Sequence, residues 1–267
     1  MKQAALTLMA LGLSSAFPAL AANVSHLDAV VVTATRTEQR LNEAPASISI
    51  VTAEDIQRKG ASDLLEALRG VPGVSMIGHS TGGRKTFSIR GADDKHTLVL
   101  VDGRRITSTD DYVGHSDYQY NWVPMEQIER IEIIRGPMSA LYGSEALGGV
   151  VNIITRKAAD GLSGAVAVRG ESTQDADGNS YQASTRLSGK LNEFFDFSLT
   201  AEQARRSAAP GVADPDVSAS ESRYRRSGSL RLGFTPVQGQ RLQLDLARTL
   251  EERGRNVDRS GTIYLDT

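Results

Sequence analysis

The chain has 267 residues, with 30 basic and 32 acidic side chains and a formal net charge of −2. That balance leaves no basic footprint for a nucleic-acid partner. Cysteine is absent, which excludes disulfides and thiolate metal sites. The four histidines (His26, His79, His96 and His115) show no i, i+4 spacing, so neither a metal centre nor a cofactor is expected.

In chain order, residues 1–21 read as a secretory signal peptide. Lys2 supplies a positive start, Ala4 to Leu13 a short apolar run, and Ala19-Leu20-Ala21 a small-x-small cleavage site. The run is far short of the roughly 20 residues of a spanning helix, and no later segment is long and apolar enough to be one. Residues 22–43 form a polar lead around "DAVVVTA". Valine and threonine favour extended chain there. With no expected hairpin partner nearby, this is an edge strand or a segment that pairs with another protein.

Residues 44–157 read as a mixed α+β domain. "SISIVTAEDIQRKG" passes from an alternating strand into a helix capped by Thr52, with Asp55 three residues on. "ASDLLEALRGVPG" repeats the pattern, with Ser62 expected as cap and Gly70 and Pro72 as the stop. "KTFSIRG" and "HTLVLVDGRRI" are expected strands, the second turning at Asp102-Gly103. "IERIEIIRG" alternates Ile131 and Ile133 against Arg130 and Glu132, and Pro137 suits the start of a short helical turn.

Residues 158–267 change to period-two strands. Phe195, Phe197, Leu199 and Ala201 oppose Asp196, Ser198, Thr200 and Glu202. "YQASTRLSG", "SLRLGF" and "LQLDL" behave alike. Arg248 falls on the apolar face, which suggests a rim or a bulge. Short connections (190–193, 235–240) alternate with long polar ones (171–180, 205–223, 251–261). Strict alternation of loop length is the habit of an outer-membrane barrel, although a soluble antiparallel sandwich shares the strand pattern.

Three local motifs fail their structural tests. "GHSTG" fits a hydrolase nucleophile elbow, but a strand rather than a capped helix is expected after it. "GHSTGGRKT" and "GSEALGG" approach a phosphate loop, but one carries an extra Arg84 and the other has Gly149 where lysine is needed. "DADG" lacks the later ligands of a calcium loop. No constellation supports an enzyme.

"DAVVVTA", "APASISIVTAEDI", "IRGADDKHTLVLVDGRRI" and "IERIEIIRGPMSALYGSEALGGVVNIITRK" occur in order over more than a hundred residues. Together they resemble the N-terminal region of TonB-dependent outer-membrane receptors, most closely the catecholate-siderophore branch whose receptor also takes up colicin I. The resemblance implies an α+β plug domain (44–157) followed by the first strands of an antiparallel transmembrane β-barrel, 22-stranded in the full-length family, with 158–267 supplying five or six of them. It implies location in the outer membrane of a Gram-negative bacterium, contact with outer-membrane lipid, and energy-coupled uptake of ferric siderophores. Colicins or phages are further implied partners.

The resemblance also assigns residues. Asp28, Ala29, Val30, Val31, Val32, Thr33 and Ala34 would be the TonB box, adding as a strand to TonB. Apical plug loops would meet an anionic ferric catecholate through Arg84 and Lys85, with Tyr112, His115, Tyr118, Tyr120 and Trp122 beside them. Arg90 and Arg135 would form plug–barrel ion pairs. The six residues from Ala22 to Leu27 are too few for an extra signalling domain, so transport without transcriptional signalling is expected. A complete barrel needs several hundred more residues, so the chain is expected to be part of a longer receptor. Other readings are a receptor of the same family for haem or cobalamin, and a secreted periplasmic binding protein with a plug-like domain and a small sandwich.

Overall fold

The computed structural model describes residues 31–32, 39–40, 47–78, 83–106, 117–172, 179–211, 218–258 and 261–266, with residues 31–32, 39–40, 118, 256–258 and 261–266 described by backbone alone. Val31–Val32 (β1) pairs antiparallel with Gln39–Arg40 (β2). This corrects the expectation that nothing nearby could pair with the valine run. The expected signal peptide and the rest of residues 28–34 lie outside the described residues.

Ser47–Thr52 (β3) leads into Ala53–Lys59 (α1) through a reciprocal cap. The Asp55 amide donates to Thr52 Oγ1 at 3.2 Å, and the Thr52 amide donates to the Asp55 carboxylate at 3.0 Å. Leu64–Leu68 (α2) is capped by Asp63, whose carboxylate accepts from the Glu66 amide at 2.8 Å. Ser62, the expected cap, stands one residue too early and instead donates through its amide and hydroxyl to the Glu66 side chain. Val74–Gly78 (β4) and Lys85–Ile89 (β5) form a separate hairpin. A strand thus follows the "GHSTG" stretch, as the failed hydrolase reading requires.

Thr97–Val101 (β6) turns through Asp102 (φ 48°) and Gly103 (φ 74°) into Arg104–Arg105 (β7). Two consecutive positive φ values match the twist of a tight hairpin. Ile128–Arg135 (β8), the short helix Ser139–Tyr142 (α3) and Gly149–Thr155 (β9) complete a five-stranded sheet of order β3-β8-β9-β6-β7, in which only β6 and β9 run parallel.

Both faces of this sheet are covered. Val51, Val99, Ile131, Ile133, Val151 and Ile153 pack with Ile56, Leu64, Leu68 and Phe87 on one side. Leu98, Leu100, Ile134 and Val150 pack with Tyr142 and Ala146 on the other. The alternation expected in β8 therefore does not carry Glu132 to solvent, because its face is sealed. Glu132 is fully buried opposite Asn152, whose Nδ2 donates to it at 3.4 Å, while Arg130 Nε donates at 3.0 Å. A carboxylate removed from water requires such partners.

Residues 163–266 form a six-stranded antiparallel meander of Ser163–Glu171 (β10), Ser180–Lys190 (β11), Phe195–Arg206 (β12), Ser222–Val237 (β15), Gln240–Asp258 (β16) and Gly261–Asp266 (β17). A small hairpin of Ala209–Pro210 (β13) and Ser218–Ser220 (β14) lies in the connection between β12 and β15. The meander does not close on itself among the described residues. The expected long loop over 251–261 is instead mostly strand, since β16 runs to Asp258. Its charged residues looked loop-like, but Glu251 and Arg253 are buried on the inner face. Nor does Arg248 mark a bulge: it pairs with Gly228 in unbroken register.

The meander is inverted relative to a soluble sheet. Gln182, Ser184, Ser188, Asp196, Ser198, Thr200 and Glu202 are buried, while Leu187, Phe195, Leu199, Leu232, Leu242, Leu244 and Leu246 are exposed. The mixed domain sits on the polar face. A sandwich requires the apolar face to be covered; here the polar face is covered.

The turn into β9 is sterically closed. A Cβ on Gly149 would press on the Ile134 carbonyl oxygen and Ile89, whereas one on Gly161 would meet nothing within 4 Å. Gly149→Ala is expected to destabilise the domain by about 1–3 kcal/mol, the usual cost of overpacking. Gly161→Ala should stay within about 0.5 kcal/mol of wild type. Urea unfolding midpoints of the two variants check this.

Candidate functional site

The chemistry-bearing side chains concentrate where the mixed domain meets the meander. At one end, Arg84 directs Nε and Nη2 to the two oxygens of Glu221 at 3.3 and 3.2 Å, a forked geometry. Arg253 Nη1 donates to Asp117 at 2.6 Å and to Glu221 at 3.4 Å, and its Nε donates to Glu251. Arg223 Nη2 donates to the other Asp117 oxygen at 2.6 Å, and Asn121 Nδ2 donates to Glu251 at 3.3 Å. Three guanidiniums meet three carboxylates. The Arg84, Asp117, Glu221 and Arg253 side chains are all at most 2% exposed.

Two connections end at this cluster. Arg84 follows 79–82 and Asp117 follows 107–116, so Arg253 ties both returns to one strand. Gly83 fits because a Cβ there, at φ 67°, would lie 2.8 Å from the Ala219 carbonyl oxygen of β14. Burial pushes the Asp117 carboxyl up, but the guanidiniums of Arg223 and Arg253 outweigh it and hold the pKa below the usual carboxylate value.

A second network lies by the β6–β7 turn. Asp102 accepts from the Thr155 amide at 2.9 Å, from the Thr155 hydroxyl at 2.6 Å and from Arg231 Nη2 at 2.7 Å. Arg231 also reaches Asp245, as does the largely exposed Arg104 at 3.4 Å. A groove of about 1770 Å³ runs alongside, with Arg104, Arg105, Trp122, Arg130, Arg231 and Asp245 in its lining. Between the networks, Arg169 donates to the Ala61 carbonyl at 2.6 Å, Arg225 to the Ser62 carbonyl at 3.4 Å, and Ser229 to Gln127 at 2.9 Å. Among the described residues no group of three or more histidines and carboxylates is arranged to hold a metal ion.

Comparison with known proteins places this architecture. Residues 40–150 match the family model of the TonB-dependent Receptor Plug Domain. The chain is 36% identical over 259 residues to the iron-regulated outer membrane virulence protein of Vibrio cholerae, covering 94% of this chain and 38% of that protein. It is 35% identical over 264 residues to the ferric enterobactin receptor of Pseudomonas aeruginosa, covering 91% and 34%. The crystal structure of the siderophore receptor PirA from Acinetobacter baumannii superposes with a TM-score of 0.66 at 31% identity, over 78% of this chain and 32% of that one. The chain carries a TonB-dependent receptor plug domain. It spans about a third of the length of these relatives. Its mixed domain is the family's plug, and the meander lies against that plug with its polar face.

The residues singled out in the sequence are scattered over this plug. Lys85 is exposed at the start of β5, and Trp122 is 39% exposed. Tyr120 is in the core, its ring 5.1 Å from that of Phe87. Arg84 is in the buried network rather than on a solvent-facing loop. Tyr112 and His115 lie outside the described residues, and Tyr118 is described by backbone alone. Arg90, with φ 54°, is exposed, and its guanidinium lies beside Gly136. Arg135 donates to the Pro72 carbonyl at 2.5 Å and to that of Ser47 at 3.5 Å. Neither arginine has a carboxylate partner among the described residues. Asp117, Glu221, Glu251 and Arg253 were missed, because each reads locally as loop polarity.

Asp117 links docking to pH. A carboxyl whose pKa is lower in the folded state stabilises that state fully above the unfolded pKa, about 3.9, and loses the contribution as pH falls through the lower folded value. Through Asp117, acid should therefore loosen the plug below about pH 4. Asp117→Asn should make that loss shallower. Arg253→Met, which strands buried carboxylates, should cost about 3–5 kcal/mol at neutral pH. Unfolding midpoints measured from pH 2 to 7 check both.

Proposed function

We propose that this chain is the plug and first barrel strands of an outer-membrane receptor of a Gram-negative bacterium, which takes up ferric siderophores of the catecholate class with energy from TonB. The observation that carries the reading is the inverted meander. Exposed rows of leucine and phenylalanine suit lipid, and a buried polar face sealed by a plug suits a lumen that must not leak. An open sheet has unsatisfied edges in hydrocarbon, so the working form is the closed, 22-stranded barrel of the family. In that form Arg90 and Arg135, which flank the Gly73 and Gly136 turns, face further barrel carboxylates.

Residues 28–34 act as the TonB box. Val31 and Val32 already take part in strand pairing, so exchanging β2 for a strand of TonB conserves the main-chain hydrogen bonds. Lys85 supplies positive charge to an anionic ferric complex, and Trp122 an exposed aromatic face. Arg84, satisfied by Glu221, holds the loop rather than the ligand.

The test is uptake of radioactive iron from a ferric tris-catecholate in cells carrying the complete reading frame. Deletion of 28–34 should abolish uptake and leave surface binding intact. Lys85→Ala should weaken binding severalfold. Competition by haem or cobalamin instead of the catecholate would reassign the ligand, and recovery of the protein in the periplasm would overturn the receptor reading.

A further inference from the structure

The outward face of the meander is banded. Three cross-strand rows are apolar: Phe195–Phe234–Leu242, Phe197–Leu232–Leu244 and Leu199–Leu230–Leu246. The next three rows each hold one arginine: Ala201–Gly228–Arg248, Gln203–Arg226–Leu250 and Arg205–Tyr224–Glu252. Arg205, Arg226 and Arg248 thus sit on three adjacent strands, each a diagonal neighbour of the next, a separation of about 7–8 Å.

That diagonal is close to level. Arg205 stands ten residues along its strand from Phe195, Arg226 eleven from Val237, and Arg248 eight from Gln240, all measured from the short-turn ends. At about 3.4 Å per residue these are paths of roughly 27–37 Å. On strands tilted about 40° the heights become about 20–29 Å, against an apolar band about 25 Å tall. The three cations therefore lie at the far border of the band.

Three like charges at neighbouring positions repel one another unless something compensates them. Among the described residues Arg205 and Arg248 have no ion-pair partner. Arg226 lies 5.2 Å above the Tyr224 ring and 3.6 Å from Glu252, a carboxylate that is itself 59% exposed. One acid against three bases leaves the belt net positive.

We propose that Arg205, Arg226 and Arg248 form a binding site for the phosphate of a phosphorylated lipid in the outer leaflet, with the acyl chains on the leucine and phenylalanine rows below and Tyr224 at the headgroup. Guanidinium forks match phosphate oxygens, and the apolar rows fix the lipid's depth. The inference rests on the outer-membrane reading above.

The protein, expressed from its complete reading frame and purified in detergent, is titrated with dioleoyl phosphatidic acid in mixed micelles and followed by native mass spectrometry. Dioleoylglycerol and inorganic phosphate serve as controls. Wild type should bind phosphatidic acid at least tenfold more tightly than dioleoylglycerol. The triple variant Arg205→Gln, Arg226→Gln, Arg248→Gln should lose that preference, and the corresponding triple lysine variant should keep part of it. If the triple glutamine variant does not fold, Arg248→Gln alone should lose severalfold. Equal binding of phosphatidic acid by wild type and the glutamine variants would overturn the site. So would inorganic phosphate bound as tightly as the lipid. Cell fractionation scores the outer-membrane reading separately, because micelle binding does not depend on where the cell places the protein.

Discussion

The structure depends on one constraint: the polar face of the meander is buried, so every group on it needs a partner. The plug supplies many of them and the meander others, as where Glu202 accepts from Gln182 and from Arg225, each at 2.8 Å. The α1–α2 connection shows how far this reaches into local structure. The Thr52–Asp55 capping box starts α1, and Gly60 ends it in a left-handed conformation at φ 65°. The chain that follows presents the Ala61 and Ser62 carbonyls to Arg169 and Arg225. The end of a helix near the N-terminus thus places two carbonyls that accept from arginines more than a hundred residues away, which also donate to Gln182 and Glu202.

The Arg84–Glu221–Arg253–Asp117 cluster is the most demanding case. Buried ion pairs contribute little net stability, because desolvation consumes most of the attraction, but losing one partner is costly. Such a cluster therefore enforces geometry more than it adds stability. Its geometry matters because the two connections 79–82 and 107–116 both return to the framework there. Fixing Arg84 and Asp117 fixes where each connection ends, whatever the connections themselves do.

What could be read from the sequence divides by the range of the interaction. The Thr52 cap, the Asp102-Gly103 turn and the period-two strands follow from neighbours within a few residues, and the structure has them. The ordered motifs between residues 28 and 157 carried the family. Roles fixed at long range were not legible. Arg84 looked available for a ligand because Glu221 is 137 residues away in sequence. Glu251 and Arg253 looked like loop because charge on a strand is ordinary only when a polar partner covers it. Glu132 is buried because α3 and its cluster cover its face from outside the strand, which the strand's own alternation does not reveal. In each case the compensating partner or the covering element lies outside the stretch that a local reading spans.

The two plug–meander networks are unequal, and the inequality gives the docking a direction. The first is closed to water. In the second, Arg104 is 72% exposed and Asp245 31%, and the large groove runs beside them. Water and salt screen the second network and replace its bonds cheaply as they break, whereas the first loses its compensation with nothing to substitute. The second network also hangs on β7, a two-residue edge strand held by a hairpin turn, while β3, the first strand of that sheet in the chain, is paired along its whole length with the largely buried β8. A displacement of the plug therefore costs least on the β7 side, where the groove already separates it from β12, β15 and β16. The buried cluster that holds the two connections is the part that yields last.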